Sequence, residues 1–242
     1  MKKLFVTLCA AVLLAGCASG TSSQSKEDKT LTIGASVTPH AEILNHIKPV
    51  LEEKGYSVDI KQFTDYNRPN VSLADGSLDA NYFQHKPYLE EWMSDAKKEG
   101  ELTSVFAVHF EPLGIYSVKH KDLNVKEKAV IGIPNDPTNG GRALKLLEAN
   151  GIIKLTEGKG IDATINDIVE NPKNVEVKPM VAENCAKNIQ DLDYAVVNGN
   201  NALNAKISDK VLAKIRQVKL HRNTQISLQY RRDTKMIKKS RI

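Results

Sequence analysis

An α/β fold in two lobes with a cleft between them is what the sequence predicts, and three observations carry it. Short β-rich runs alternate with helix-patterned segments from Leu31 to about Ala205, the signature of strand–helix units with largely parallel sheets. The alternation goes through two cycles, enough for two α/β lobes. Polar segments bearing Pro, Gly and Asn follow the strands, and in open α/β sheets ligands sit at the carboxyl ends of strands.

The first cycle opens with Leu31–Ala35 as a strand. Ile43, Leu44, Ile47, Val50 and Leu51 then recur on one helical face, with Pro49 as an expected kink and Gly55 as the stop. Ser57–Phe63 alternates as a strand, and Asn67–Ala74 reads as a short helix ended by Gly76. Leu78–Tyr82 is a third strand, after which Pro87 opens a helix that closes at Gly100. In the second cycle Val105–Val118 is β-rich around Glu111-Pro112-Leu113-Gly114. Ala129–Ile133 is a strand, Gly140–Asn150 a helix with Leu144 and Leu147 inward, and Val175–Lys178 and Tyr194–Val197 are further strands.

The ends of the chain differ from this body. Met1-Lys2-Lys3 followed by the apolar run Leu4–Ala15 is too short for a permanent membrane span and reads as a signal peptide. It ends in Leu14-Ala15-Gly16-Cys17, which resembles the bacterial lipobox, so Cys17 is the expected lipidation site. Residues 18–29 are rich in Ser, Thr, Gly and Lys and read as a flexible tether. Cys9 leaves with the signal peptide, so Cys185 remains alone, without a disulfide framework or metal clip, as a small buried hydrophobe. The net charge of +5 is misleading, because Lys214–Ile242 holds ten basic residues against Asp233. Without that stretch and Lys2 and Lys3 the chain is acidic, so the overall charge does not argue for a nucleic-acid partner.

Seven segments carry a resemblance. They are Gly34-Ala35-Ser36-Val37-Thr38-Pro39-His40, Asp65-Tyr66-Asn67-Arg68-Pro69-Asn70, Asp79–His85, Val108-His109-Phe110-Glu111-Pro112, Ile133–Arg142, Asp167–Pro172 and Val197-Asn198-Gly199-Asn200. In this order behind a lipobox they closely resemble the NlpA family of methionine-binding lipoproteins, from the signal peptide to about Leu212. The resemblance implies a periplasmic-binding-protein-like fold, closing over one amino acid for an ABC importer with its permease and ATPase. The implied ligand is L-methionine, a related amino acid or a short methionine peptide, with no cofactor, metal or catalytic activity. It also implies a location in the cell envelope, anchored to a membrane by lipid on Cys17 and facing the periplasm or the cell exterior. The expected divisions are a signal peptide at 1–16, a tether at 17–29, lobe 1 at 30–113, lobe 2 at 114–198 and a return to lobe 1 at 199–213.

An amino-acid zwitterion needs a cation, hydrogen-bond acceptors and an apolar pocket. Arg142, in the first turn of a helix opened by a Gly-rich loop, offers a guanidinium fork beside free backbone N–H groups for the carboxylate; otherwise it is a solvated surface arginine. Asn139 and Asn198 offer amides to both charged groups, or else simply form turns. Tyr66, Tyr82, Phe83 and His85 supply aromatic faces for a thioether, although strand alternation turns one of Tyr82 and Phe83 away. His109, near Glu111, is a further candidate.

Other readings compete. His40, His85, His109 and Glu111 suggest a metal-binding lipoprotein of another importer class, though their spacing is not ligand-like. Asp79 and Glu111 are conceivable as acid and base, but no nucleophile elbow, HExxH or Walker loop accompanies them. Finally, Lys214–Ile242 is basic and polar with no sustained period beyond Ile226-Ser227-Leu228. A shifted reading frame, a natural basic tail or a different C-terminal ending each accounts for it, and the segment is expected to stand outside the native fold.

Overall fold

The computed structural model describes residues 29–97, 101–215 and 225–231. The signal peptide, Cys17 and most of the tether therefore lie outside the described residues, as do residues 216–224 and 232–242 of the basic tail.

Two five-stranded sheets organise the chain. In the first, β1 (Thr30–Ser36) pairs in parallel with β2 (Ser57–Phe63) and β3 (Ala80–His85). The helices α1 (Glu42–Glu53), α2 (Arg68–Ala74) and α3 (Lys86–Asp95) connect or follow these strands. Gly55 and Gly76 both take positive φ where the chain turns back, a conformation that costs glycine little. The helical face read for α1 is only partly inward. Leu44 is buried and Ile43 and Leu51 pack against the core, while Ile47 and Val50 face solvent.

β4 (Leu102–Phe110) completes this sheet and leads through Glu111-Pro112 into β5 (Leu113–Tyr116) of the second. There β6 (Val130–Pro134) lies between β9 (Glu176–Met180) and β10 (Tyr194–Asn198), parallel to both, and β5 runs antiparallel to β10. A small antiparallel pair, β7 (Lys154–Leu155) and β8 (Ile168–Glu170), lies outside the sheet. Helix α4 (Pro137–Ala149) buries Leu144 and Leu147 as expected, in a core with Leu113, Ile131 and Val196. The short helices α5 (Ala182–Lys187) and α6 (Gly199–Asn204), which have no clear apolar period, complete the lobe. Cys185 on α5 is fully buried, and burial pushes its thiol up to about 12.

The last two strands correct the sequence reading. β11 (Val211–Lys214) pairs with β5, so residues 211–213, expected back in the first lobe, belong to the second sheet. β12 (Gln225–Arg231) comes from the segment expected to stand outside the fold, yet it sits between β3 and β4, antiparallel to both. Its residues alternate as a strand inside a sheet requires. Ile226 and Leu228 join the core of β1 and β3, while Ser227 and Gln229 are buried and hydrogen-bonded to each other at 2.8 Å. β4 is then an edge strand and exposes Val105, Phe106 and Val108.

Candidate functional site

The cleft lies where the carboxyl ends of strands from both sheets meet, beside the Glu111-Pro112 crossing, and is partly open to solvent. Its second-lobe wall starts with the N-terminus of α4. Asp136 caps the helix by accepting the Asn139 backbone N–H at 2.8 Å, and its own carbonyl takes the N–H of Gly140. These two donors of the first turn are already used. Gly140 and Gly141 lie inside the helix and are small for packing. A Cβ on Gly141 would stand 1.9 Å from the Ile161 carbonyl oxygen, and one on Gly140 would stand 2.9 Å from that of Pro134. The two glycines thus belong to the helix and not to a loop before it, and Arg142, expected in the first turn, is its sixth residue.

Asn139 is the hub of this wall. Its amide nitrogen donates to both Asp136 carboxylate oxygens, at 3.0 and 3.1 Å. Its Oδ1 accepts from Arg142 Nη1 at 2.8 Å, Asn198 Nδ2 at 3.1 Å and His85 Nε2 at 3.2 Å. The His85 tautomer follows, because Nδ1 accepts the Tyr88 backbone N–H at 3.1 Å and leaves the proton on Nε2. Burial, then the nearby Arg142 charge, lowers the His85 pKa to about 3, so the ring is neutral. Asn139 thus holds Asp136 through its amide and orients three neighbours through its carbonyl oxygen.

Arg142 is 4% exposed, and burial pulls its pKa below the ordinary arginine value against the opposing charge of Asp136. Among the described residues no carboxylate comes within ion-pair distance of its guanidinium. A buried cation so placed is costly unless an anion joins it. Beside it, Asn198 Oδ1 is buried without a hydrogen-bond partner.

The first-lobe wall is aromatic. Tyr66 and Phe83 rings lie 5.9 Å apart, and Tyr88 meets both edge-on at 6.0 and 6.1 Å. Tyr66 also ties the walls together, donating its hydroxyl to Asn200 Oδ1 at 2.5 Å and accepting from Asn201 Nδ2 at 3.2 Å. A bulge in the β3–β12 register skips Phe83, which helps re-aim side chains at this end of the strand. Asn81 and Gln84 thereby both reach Asn70, at 2.9 and 2.6 Å, in a buried amide network behind the cleft.

Of the eight residues read from the sequence as ligand contacts, Tyr66, Phe83, His85, Asn139, Arg142 and Asn198 line the cleft. Tyr82 and His109 do not. Alternation turns the Tyr82 ring into the core, where its hydroxyl meets His109 Nδ1 at 2.6 Å, and His109 reaches the cleft only through Glu111. The sequence reading missed Tyr88 and, as lining residues, Gln84, Glu111, Pro112, Gly199 and Ile226. For Tyr88 a signal existed: a histidine followed by Lys-Pro marks a helix start, and the residue three on from such a cap turns back beside it.

Comparisons with known proteins agree with this architecture. The family model described as NlpA lipoprotein matches residues 31–240, carrying the likeness past Leu212, where the sequence reading ended it. The chain is 41% identical over 217 residues to the methionine-binding lipoprotein MetQ of Bacillus subtilis (strain 168), covering 87% of this chain and 78% of that protein. It is 36% identical over 202 residues to the D-methionine-binding lipoprotein MetQ of Salmonella typhimurium, covering 83% and 72%. A nutrient binding protein from Burkholderia cenocepacia, solved bound to methionine, superposes with a TM-score of 0.78 at 33% identity over 86% of this chain and 88% of that one. The fold is two-lobed and periplasmic-binding-protein-like, and this chain belongs to the NlpA lipoprotein family.

Proposed function

We propose that this chain is the solute-binding lipoprotein of an ABC importer and captures L-methionine, or a close relative of it, in the cleft between its lobes. One observation carries the reading: a buried guanidinium without a carboxylate partner stands beside an unpartnered buried amide oxygen, under a wall of rings. Arg142 takes the ligand carboxylate, a charge-assisted bond of the stronger kind. Asn198 Oδ1 accepts from the ammonium. Tyr66, Phe83 and Tyr88 enclose the side chain. Burying a methionine side chain is worth roughly 1.5–3 kcal/mol, and each good sulfur–aromatic contact adds about 0.3–1.5 kcal/mol.

The names of the relatives and the methionine-bound neighbour support the ligand. The lipobox at Cys17 supports attachment to a membrane by lipid, with the lobes facing outward to deliver the ligand to a permease and its ATPase. The test is thermal unfolding of the full chain in detergent with and without L-methionine, together with mass spectrometry of whatever small molecule denaturation releases. At a hundredfold excess over Kd, linkage stabilises the protein by about 2.7 kcal/mol. An unchanged melt with methionine, with another compound released, would overturn the ligand assignment.

A further inference from the structure

We propose that His40, His109 and Glu111 form a binding site for a divalent transition metal, zinc being the ion best suited to the donor set, on the first-lobe side of the Glu111-Pro112 crossing. The three residues come from the helical turn after β1, from β4 and from the residue just past it, so their spacing in the chain carries no ligand signature. The fold nevertheless brings one ligand atom from each within 4.8 Å of the others. Glu111 Oε1 is 3.1 Å from His109 Nε2 and 3.5 Å from His40 Nε2. Zinc bonds of about 2.0–2.1 Å at tetrahedral angles place neighbouring ligand atoms about 3.3 Å apart, between those two distances.

A second observation points to a missing partner. His40 is fully buried, yet neither of its ring nitrogens makes a hydrogen bond, since the Glu111 contact lacks hydrogen-bond geometry. An imidazole with both polar atoms orphaned is costly in a core, and a metal on Nε2 relieves half of that cost. The surroundings suit a ligand histidine at position 109 as well. Its Nδ1 lies 2.6 Å from the Tyr82 hydroxyl, so with metal on Nε2 the ring can donate Nδ1–H to Tyr82 and be held in place. His109 is partly open to solvent and gives the ion a way in, while two imidazoles, one carboxylate and a position left for water make a borderline set favouring zinc. His85 is no part of this site, being committed to Asn139 and the Tyr88 backbone.

The experiment is titration of the chelator-stripped full chain in detergent with zinc chloride alone, so its outcome is decided whether or not the cleft takes methionine. One equivalent of zinc is expected to bind. His40→Ala and Glu111→Gln should each weaken binding at least about tenfold, and Tyr82→Phe about tenfold through loss of the outer hydrogen bond. His120→Gln, remote from the three residues, should leave it unchanged. Because His40→Ala removes a core ring, Glu111→Gln with a circular dichroism spectrum like that of the parent is the deciding variant. Cobalt(II) in place of zinc should give the visible absorption of a four-coordinate site, lost in Glu111→Gln. No stoichiometric zinc binding, or equal binding by the parent and Glu111→Gln, overturns the proposal.

Discussion

The two walls of the cleft use opposite chemistry. The first lobe presents rings: Tyr66, Phe83 and Tyr88, with His85 kept neutral by burial. The second presents a fixed cation and amides: Arg142, Asn139 and Asn198, organised around one carbonyl oxygen. The ring wall recognises a side chain through area and polarizability, which tolerate variation. The polar wall recognises charge through directed bonds, which do not. In the proposed function the polar wall therefore fixes that the ligand is an amino acid, and the ring wall selects which one.

The largest expected effect falls on the polar wall. Arg142→Ala should weaken methionine binding by about 2–5 kcal/mol, the usual loss when one member of a buried charged pair is removed. Isothermal titration measures it directly. A loss under about 1 kcal/mol would mean that the carboxylate is held elsewhere and that the walls do not divide the work in this way.

The next prediction separates the lobes by acid. A histidine in an unfolded chain titrates near 6.5, whereas burial lowers His85 to about 3. Its contribution to stability is complete above pH 6.5 and is lost as pH falls toward 3. By pH 4.5 the loss is on the order of 3 kcal/mol, from about two pH units at 1.36 kcal/mol each. Hydrogen exchange between pH 7 and 4.5 should show β3 and α3 losing protection before β6 and α4, whose core is apolar. Equal loss in both lobes would break the comparison.

The same contrast explains what was legible in the sequence. The strand β2 and the buried face of α4 follow from periodicity, because apolar alternation and the 3.6-residue repeat are local signals. Arg142 was legible because the Asn-Asp-Pro-Thr-Asn-Gly-Gly run ahead of it invites an explanation, although the helix begins at Pro137 and puts Arg142 in its second turn. The roles around it were not. The sequence offers Asn139 only as an amide after a strand, whereas its amide contact to Asp136 and the three side chains around its carbonyl oxygen are set by tertiary contacts. Tyr82 and Phe83 are adjacent, and only the pairing of β3 reveals which one faces the core. β12 was hidden because Ile226, Leu228 and Tyr230 alternate with polar residues that are themselves buried, in a basic context that suggests exposure.

A smaller effect tests the ring wall. Tyr88→Leu keeps apolar bulk but removes a ring that meets Tyr66 and Phe83 edge-on. Methionine binding should weaken by about 0.5–1.5 kcal/mol, the worth of aromatic and sulfur contacts beyond area. Binding of norleucine, which lacks the sulfur, should change less. If both ligands lose equally, the ring acts by shape alone.

The smallest expected effect is the control on which the contrast depends. Lys145 lies three residues beyond Arg142 on α4 and carries the same charge, but its side chain is 41% exposed and pairs with Glu148. A cation in water is screened and interacts weakly with a ligand it does not touch, whereas Arg142 is buried and aimed into the cleft. Lys145→Ala should therefore leave methionine affinity within about 0.5 kcal/mol of the parent, the range of ordinary surface substitutions. Stability should fall by no more than about 0.5 kcal/mol, the worth of an exposed pair one turn apart. Measuring both variants in one buffer, at low and at physiological salt, separates contact from field. If Lys145→Ala costs as much as Arg142→Ala and both losses shrink with salt, the second wall attracts anions by its general potential. The directed bonds at Asn139 and Arg142 would then have no special part in recognition.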